Sequence, residues 1–328
     1  SVPKLARSSI ACISAGLNMS QGTEYTLALP AFSNCAVWDL DREVWSAEAH
    51  YNTTIFVMGD VTVMDGGSLD LSGCDVRLWK TPQTTFGLWA YQGDISIAGS
   101  TFTPMLSQSP GLPLGVRMTV SGGANLSIAG SGLSWTPIVS YGSVRVNDSS
   151  LSESAVAGIY SESSWLSLSN VSLSYFSDGI KAYGSGLVCR NVTAEHCAAS
   201  GIYASNCLVE LANSSMRAND RGVYAAGSRG NATGVNISNN SNGFSLERSE
   251  IAVDGARFFG NAGYGLQMYR CSAPVGNVVA SGNTMGLSLT ESAPRIANLT
   301  ANSNCYGIYS YASAPHLVDS SFDGNQIG

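Results

Sequence analysis

Acid–base and metal chemistry needs carboxylates, imidazoles or thiols brought together, and this sequence supplies them sparsely. Asp178, Glu195, Glu210, Asp220, Glu247, Asp254 and Glu291 are spread singly, and His50, His196 and His316 stand far apart. A general acid–base pair or a calcium site needs such groups within one hydrogen-bond network or coordination sphere. Glu195 beside His196 reads as a solvated corner. Asp65-Gly66-Gly67 reads as a turn, because no Gly- and Asp-rich calcium-binding nonapeptide surrounds it. The eight cysteines, Cys12, Cys35, Cys74, Cys189, Cys197, Cys207, Cys271 and Cys305, contain no CxxC pair, which argues against zinc and thiol-redox motifs. The residues therefore point to no catalytic group, no cofactor and no metal, and no enzymatic activity is expected.

Composition narrows the setting. Charged residues make up 12% of the 328 residues, hydrophobic residues 44%, and the net charge is −7. The charged fraction is about half of ordinary usage, and a negative chain is a poor partner for nucleic acid. No run of about 18 apolar residues offers a membrane span. Beginning at Ser1 without a signal peptide, the chain reads as a mature exported product, extracellular or in the cell envelope. An even cysteine count in that setting suggests disulfides, with Cys12, Cys35, Cys74, Cys271 and Cys305 as candidates.

What positions the side chains is an internal repeat. Gly followed by an apolar residue recurs at Gly158, Gly179, Gly201, Gly222, Gly243, Gly265, Gly286 and Gly307, every 21 or 22 residues. Counting each Gly as zero, positions 1 and 3, 8 and 10, and 13 and 15 are mostly apolar. Alternation at period two is a strand with one buried face. Three strands per repeat leave corners too short for a crossover helix, so each strand must pair in parallel with its counterpart in the next coil. The predicted fold is all-β: a right-handed, single-stranded parallel β-helix of about twelve coils, three strands per coil. At about 4.8 Å per coil the rod is about 55–60 Å long.

The corners agree. Position 12 holds Asn170, Asn191, Asn213, Gly234, Gly255, Asn277, Asn298 and Asp319, residue types that tolerate positive φ. Position 18 holds Asn219, Asn240, Asn261, Asn283, Asn304 and Asn325, a predicted ladder of side-chain amides bonding along the stack. The eight glycines are read as corner residues. Eleven Asn-x-Ser/Thr sequons occur. Several fall at position 12 and arise from the repeat itself, whereas Asn18, Asn52, Asn125, Asn147 and Asn231 are the candidates for glycosylation.

The register extends back through Gly115, Gly87 and Leu69, with a Pro-rich insertion over residues 103–113. Residues 1–54 are read as an N-terminal cap and residues 55–328 as the β-helix. A short amphipathic helix over residues 33–48 and a Cys12–Cys35 disulfide would close the first coil, because an open end exposes strand edges and apolar residues.

Position 2 points outward and carries Tyr160, Tyr203, Tyr224 and Tyr309, with Tyr183 and Tyr311 two residues further on. This stripe is either a contact face for another subunit or for sugar rings, or cross-strand stacking within the sheet. Cys207 and Cys271 share position 6 three coils apart, about 14 Å, too far for one bridge. Such cysteines suggest bridges between subunits or, as at Cys189, thiols buried in the core.

The columns over residues 55–328 resemble the right-handed parallel β-helix repeat superfamily, which includes pectate lyases, polysaccharide epimerases, phage tailspikes, adhesins and cell-surface repeat proteins. The Ser-, Gly-, Ala- and Asn-rich, charge-poor composition is most similar to sheath or surface-layer proteins of archaea and bacteria. That resemblance implies a structural, self-assembling envelope subunit whose partner is itself. An adhesin or carbohydrate-binding β-helix using the Tyr stripe is the alternative, with cell-surface polysaccharide as partner. A polysaccharide lyase or epimerase ranks third.

Overall fold

A computed structural model describes residues 35–38, 41–78, 87–104 and 117–327. They form a parallel β-solenoid of about twelve coils with two sheets, one of thirteen strands and one of twenty-three. The inward column of the smaller sheet runs Ile159, Ile180, Ile202, Val223, Phe244, Leu266, Leu287 and Ile308 in unbroken register. Most of these side chains are fully buried. Burial of branched apolar residues at every second position is what makes these segments strands.

The larger sheet wraps two faces of the solenoid. Its ten-residue strands Ser143–Ser152, Trp165–Ser174 and Gly186–Glu195 bend at Asp148, Asn170 and Asn191. The position-12 column from Asn170 to Asp319 holds φ between 48° and 63° throughout, as the residue types predicted. The side-chain amides there also stack: Asn170 Nδ2 donates to Asp148 Oδ1 at 2.7 Å and Asn191 Nδ2 to Asn170 Oδ1 at 2.8 Å.

The buried ladder forms from Asn219 to Asn325. Asn261 shows the pattern: its Nδ2 donates to Ile237 O at 3.0 Å and to Asn283 Oδ1 at 2.9 Å, and its Oδ1 accepts from the Asn240 backbone at 3.1 Å. A second ladder, of hydroxyls, runs along position 6. The backbone of each member donates to the side chain of the next, as in Cys207 N to Ser228 Oγ at 3.0 Å and Ser228 N to Ser249 Oγ at 3.1 Å.

The eight glycines do not turn the corners. Gly201, Gly222, Gly243, Gly265, Gly286 and Gly307 lie inside strands of the smaller sheet, and none of the eight has positive φ. Their role is close approach. A Cβ on Gly243 would lie 2.2 Å from Gly265 O, and one on Gly286 would lie 2.5 Å from Gly307 O. The turning is done by position 12, by the residue before the buried Asn ladder, and by position 5, where Ser163, Gly184, Asn206, Gly227, Arg248, Arg270, Glu291 and Ala312 all have positive φ.

Residues 35–51 also depart from expectation. In place of a helix they form the strands Cys35–Trp38, Arg42–Val44 and Ala47–Tyr51, which make the first coil. Its inward columns turn polar: Glu48 and His50 stand over Leu69 and Leu71. Arg42 and His50 both bond Glu48, and Trp38 packs edge-on against His50 at 5.4 Å. Short apolar alternation and local amphipathicity look alike over so few residues, and pairing with the next coil decides for strand. Residues 1–34 and 105–116 lie outside the described residues, and with the latter all of the Pro-rich insertion except Thr103 and Pro104, which end the strand Thr101–Pro104.

Candidate functional site

The buried cysteines are packing groups rather than cross-links, for a reason visible in the ladders. Cys35 is disulfide-bonded, and Cys12 lies outside the described residues. Cys74 and Cys271 are free and buried, and Cys305 is free and half-buried. Cys271 stands in the hydroxyl ladder in place of a serine: its Sγ accepts from Ser249 N at 3.4 Å, and its own N donates to Ser292 Oγ at 3.0 Å. Cys74 heads a separate serine ladder, beside the position-12 corner, in which its N donates to Ser100 Oγ at 3.0 Å and Ser100 N to Ser131 Oγ at 3.1 Å. Burial pushes the Cys189 thiol up, and the Cys197 thiol up to about 11. These are inert packing thiols.

The sequons divide along similar lines. Asn52 sits in the positive-φ corner column, at φ 49°. Asn125 Nδ2 donates to Asp94 Oδ1 at 2.9 Å. Asn147 and Asn231 lie in strands of the larger sheet, with Asn231 exposed. Asn18 lies outside the described residues.

The outer face of the thirteen-stranded sheet is where reactive side chains converge. Tyr160, Lys181, Tyr203, Tyr224, Ser245, Gln267, Ser288 and Tyr309 are successive partners in one outward column. The column two residues on brings Glu162, Tyr183, Glu247, Tyr269, Thr290 and Tyr311 to the same face. Four rings follow one another along the axis: Tyr160 meets Tyr183 at 5.8 Å and Tyr183 meets Tyr203 at 5.5 Å, tilted by 45° and 49°, and Tyr203 stacks on Tyr224 at 5.2 Å. Tyr309 meets Tyr306 edge-on at 6.2 Å two coils beyond Tyr264 and Tyr269 on the same sheet's face. Toward the N-terminus the face adds exposed Trp89, Tyr91 and Tyr141.

Between the two aromatic groups lies a depression of about 450 Å³ lined by Arg221, Tyr224, Asn242, Ser245, Glu247, Tyr264, Gln267, Tyr269 and Thr290. Tyr224 donates its hydroxyl to Glu247 Oε2 at 2.7 Å, and Ser245 donates to Gln267 Oε1 at 3.1 Å. Partial burial, and then the bond to Glu247, push the Tyr224 phenol up to about 12. Tyr160 is likewise pushed up to about 12, first by burial and then by its bond to Glu162. Both hydroxyls are therefore protonated donors at neutral pH.

Cations flank the rings. Arg221 lies over Tyr224 at 5.2 Å and Lys181 over Tyr203 at 5.6 Å. Arg248 and Arg270 lie over Tyr269 at 5.7 and 4.9 Å. Arg270 is held by Glu291 at 2.6 Å, whereas Arg221 has only a 3.9 Å approach to Asp220. The depression thus offers a carboxylate, a phenol donor, a loosely held guanidinium and flat ring faces. Such a set can hold a ring with several hydroxyls, and can move a proton between Glu247 and a bound group.

Column counting reached the tyrosines and Gln267 but not Glu247 and Arg221. Both sit off the numbered column, Glu247 two residues after it and Arg221 three before. The carboxylates looked scattered because even those that share a column, Glu162 and Glu247, lie four coils apart; the phenol and the guanidinium of neighbouring coils, rather than a second carboxylate, complete the group. Among the described residues no three His, Cys, Asp or Glu gather as a metal site, and no helix is long and apolar enough to cross a membrane.

A wider depression of about 590 Å³ follows the Asp148, Asn170 and Asn191 corner, with Ser150, Ser172 and Thr193 beside it. Its amides are bonded to one another.

Comparison with known proteins bears on the surface-layer reading. No curated protein matches the chain by sequence. Among solved structures, a variant of the periplasmic alginate epimerase AlgG is similar at 14% identity, covering 84% of this chain and 78% of that one, with a TM-score of 0.68. The AlgG structure without substitution is similar at 13% identity over the same shares, with a TM-score of 0.62. The A-module of the mannuronan C-5 epimerase AlgE4 from Azotobacter vinelandii follows at 12% identity, 87% of each chain and a TM-score of 0.38. The two AlgG structures are of a polysaccharide epimerase and give no support to a sheath or surface-layer subunit. The expectation of a self-assembling, non-enzymatic envelope subunit is thereby overturned. It rested on composition, and the structure explains that composition otherwise: Ser and Asn are consumed by the ladders and Gly by coil-to-coil approach. The profile of the right-handed β-helix region matches residues 157–327, and the chain belongs to that family.

Proposed function

We propose that this β-helix is carbohydrate-active and binds an extended polysaccharide lengthwise on the outer face of its thirteen-stranded sheet. The observation that carries the reading is the row Tyr160, Tyr183, Tyr203 and Tyr224 leading into the depression around Glu247. Successive coils rise by about 4.8 Å, close to the length of one pyranose unit in an extended chain. A polymer lying along the axis then meets one coil per sugar, with the sugars against the row of tyrosines and their hydroxyls on Gln267, Asn242 and Ser245. Aromatic groups on both sides of the depression suit binding within a chain.

At the depression Glu247 is the proton acceptor and Tyr224 the proton donor, with Arg221 supplying positive charge. The fold neighbours include enzymes acting on alginate and mannuronan, which agrees with a polysaccharide substrate and is not needed for the argument. The same reading puts the protein outside the cytoplasm, secreted or in the envelope, where the Cys35 disulfide is stable.

The test is affinity electrophoresis through gels carrying acidic and neutral polysaccharides, followed by product analysis. Retardation by at least one polymer, lost in Tyr203→Ala with Tyr224→Ala, is expected. Chemical change of that polymer, abolished by Glu247→Gln with binding kept, is the expected second result. Failure of every polymer to retard the protein overturns the proposal. Retardation without any product leaves an adhesin-type binding face in its place.

A further inference from the structure

We infer that the corner formed by Trp135, Glu153, Tyr175 and His196 is a second saccharide-binding site, taking one or two units of a neutral sugar. These residues occupy the same place in four successive coils. The backbone N–H of Trp135 donates to Ser152 O, that of Glu153 to Ser174 O, that of Tyr175 to Glu195 O, and that of His196 to Arg217 O. All four are left-handed, with φ of 56°, 62°, 61° and 54°.

Later coils turn the same corner with Ala218, Asn239, Gly260, Gly282, Ser303 and Gly324. The backbone therefore demands positive φ here in every coil, and small residues, Asn or Gly meet that demand most easily. A tryptophan, a tyrosine and a glutamate in this conformation are outliers among L-residues. Local backbone preference does not choose them, so their side chains are what the site keeps.

The side chains are arranged for a sugar. Tyr175 and His196 stack in parallel, 5.2 Å between centroids and 7° between planes, and Tyr175 is 59% exposed. On the other side, Glu153 Oε2 accepts from Trp135 Nε1 at 2.8 Å and from Ser134 Oγ at 2.9 Å, which fixes the carboxylate. Among the described residues no donor reaches Glu153 Oε1. A supported ring face beside an oriented carboxylate oxygen matches the apolar face and adjacent hydroxyls of a pyranose. The charge selects a neutral ligand: Glu195 is paired with Arg217, so the unpaired Glu153 leaves the corner negative.

The site lies on the corner and not on the sheet face, and its argument does not rest on the proposed polysaccharide. The probes are the methyl glycosides of glucose, galactose, mannose and N-acetylglucosamine, followed by saturation-transfer NMR on the whole protein. Methyl glucuronoside serves as the acidic control. The expected result is transfer to at least one neutral glycoside and none to the glucuronoside. Affinity should fall about tenfold in Tyr175→Asn, the loss of one aromatic contact. Asn suits this backbone, so that variant keeps the fold. Tyr175→Phe, which keeps the stack, should retain binding, and so should Tyr203→Ala with Tyr224→Ala. No transfer to any neutral glycoside overturns the inference, as does transfer that survives Tyr175→Asn. Transfer lost in the Tyr203→Ala, Tyr224→Ala variant assigns the sugar to the sheet face, which overturns the corner site and supports the sheet reading.

Discussion

Two outer surfaces of one solenoid share the same repeat and differ in what they display. The last face of the larger sheet presents Thr101, Gly132, Ser150, Ser172, Thr193 and Ser215 in one outward column. The thirteen-stranded sheet presents Tyr160, Tyr203 and Tyr224, with Glu247 and Arg221 close by. Behind both, the inward columns are equally buried. Small hydroxyl residues are thus enough to complete a parallel sheet in this molecule, and stacked aromatics are not a structural requirement of the coil. The contact between tyrosines of successive coils is real, but its concentration on one face marks that face for recognition.

The comparison breaks most forcefully from inside. Asn261→Ala removes the acceptor for the buried Asn240 amide and two donated bonds. It should cost about 3 kcal/mol, seen as a lower urea midpoint with both faces loosened together. Loss confined to one face would show that the ladder does not couple the two sheets.

Cys271 offers a milder probe of the hydroxyl ladder. Cys271→Ser should change stability by less than about 1 kcal/mol, whereas Cys271→Ala, which leaves Ser249 N without its acceptor, should cost about 1–2 kcal/mol. In the native protein, thiol labelling should reach half-buried Cys305 first and leave buried Cys189 untouched.

Alkaline titration sharpens the contrast on the tyrosine side. The folded-state pKa of Tyr224 is raised from 10.0 to about 12, so folding favours its protonated form. The associated stability is fully present below pH 10 and is lost as pH rises toward 12. Difference absorbance of the phenolate should show Tyr160 and Tyr224 ionising last among the exposed tyrosines. Glu247→Gln should bring Tyr224 down toward its ordinary range.

The smallest effect belongs to the hydroxyl face. Ser172→Ala should leave stability within about 0.5 kcal/mol and polysaccharide retardation unchanged, while Tyr203→Ala weakens retardation. Equal loss in both variants would remove the distinction between the faces.

Much of the architecture was legible because a repeat multiplies weak signals. One Asn at a corner means little, but the column from Asn170 to Asp319 and the one from Asn219 to Asn325 each report the same backbone demand many times over. The candidate site was legible only in part, because sites are where a repeat is broken. Arg221 occurs once in its column and Glu247 shares its column only with Glu162, four coils away, so periodicity is blind to them. The Trp135, Glu153, Tyr175 and His196 corner was read only as a solvated Glu195–His196 pair, since φ is not written in a Trp or a Tyr.

Composition misled for a related reason. Abundant Ser, Asn and Gly with little charge suggested surfaces built to meet other copies, yet these residues serve hydrogen-bond ladders and coil-to-coil approach within one chain. Sequence alone determined the coil length, the three strands, the inward columns and the Asn ladder, because burial and backbone conformation impose the same residue types at the same place in every coil. Tertiary structure alone decided which outward side chains meet, that Cys271 replaces a ladder serine, that the glycines allow close approach, and that residues 35–51 are strands. Those outcomes depend on residues one coil apart, about 21 positions away in sequence and about 4.8 Å away in space.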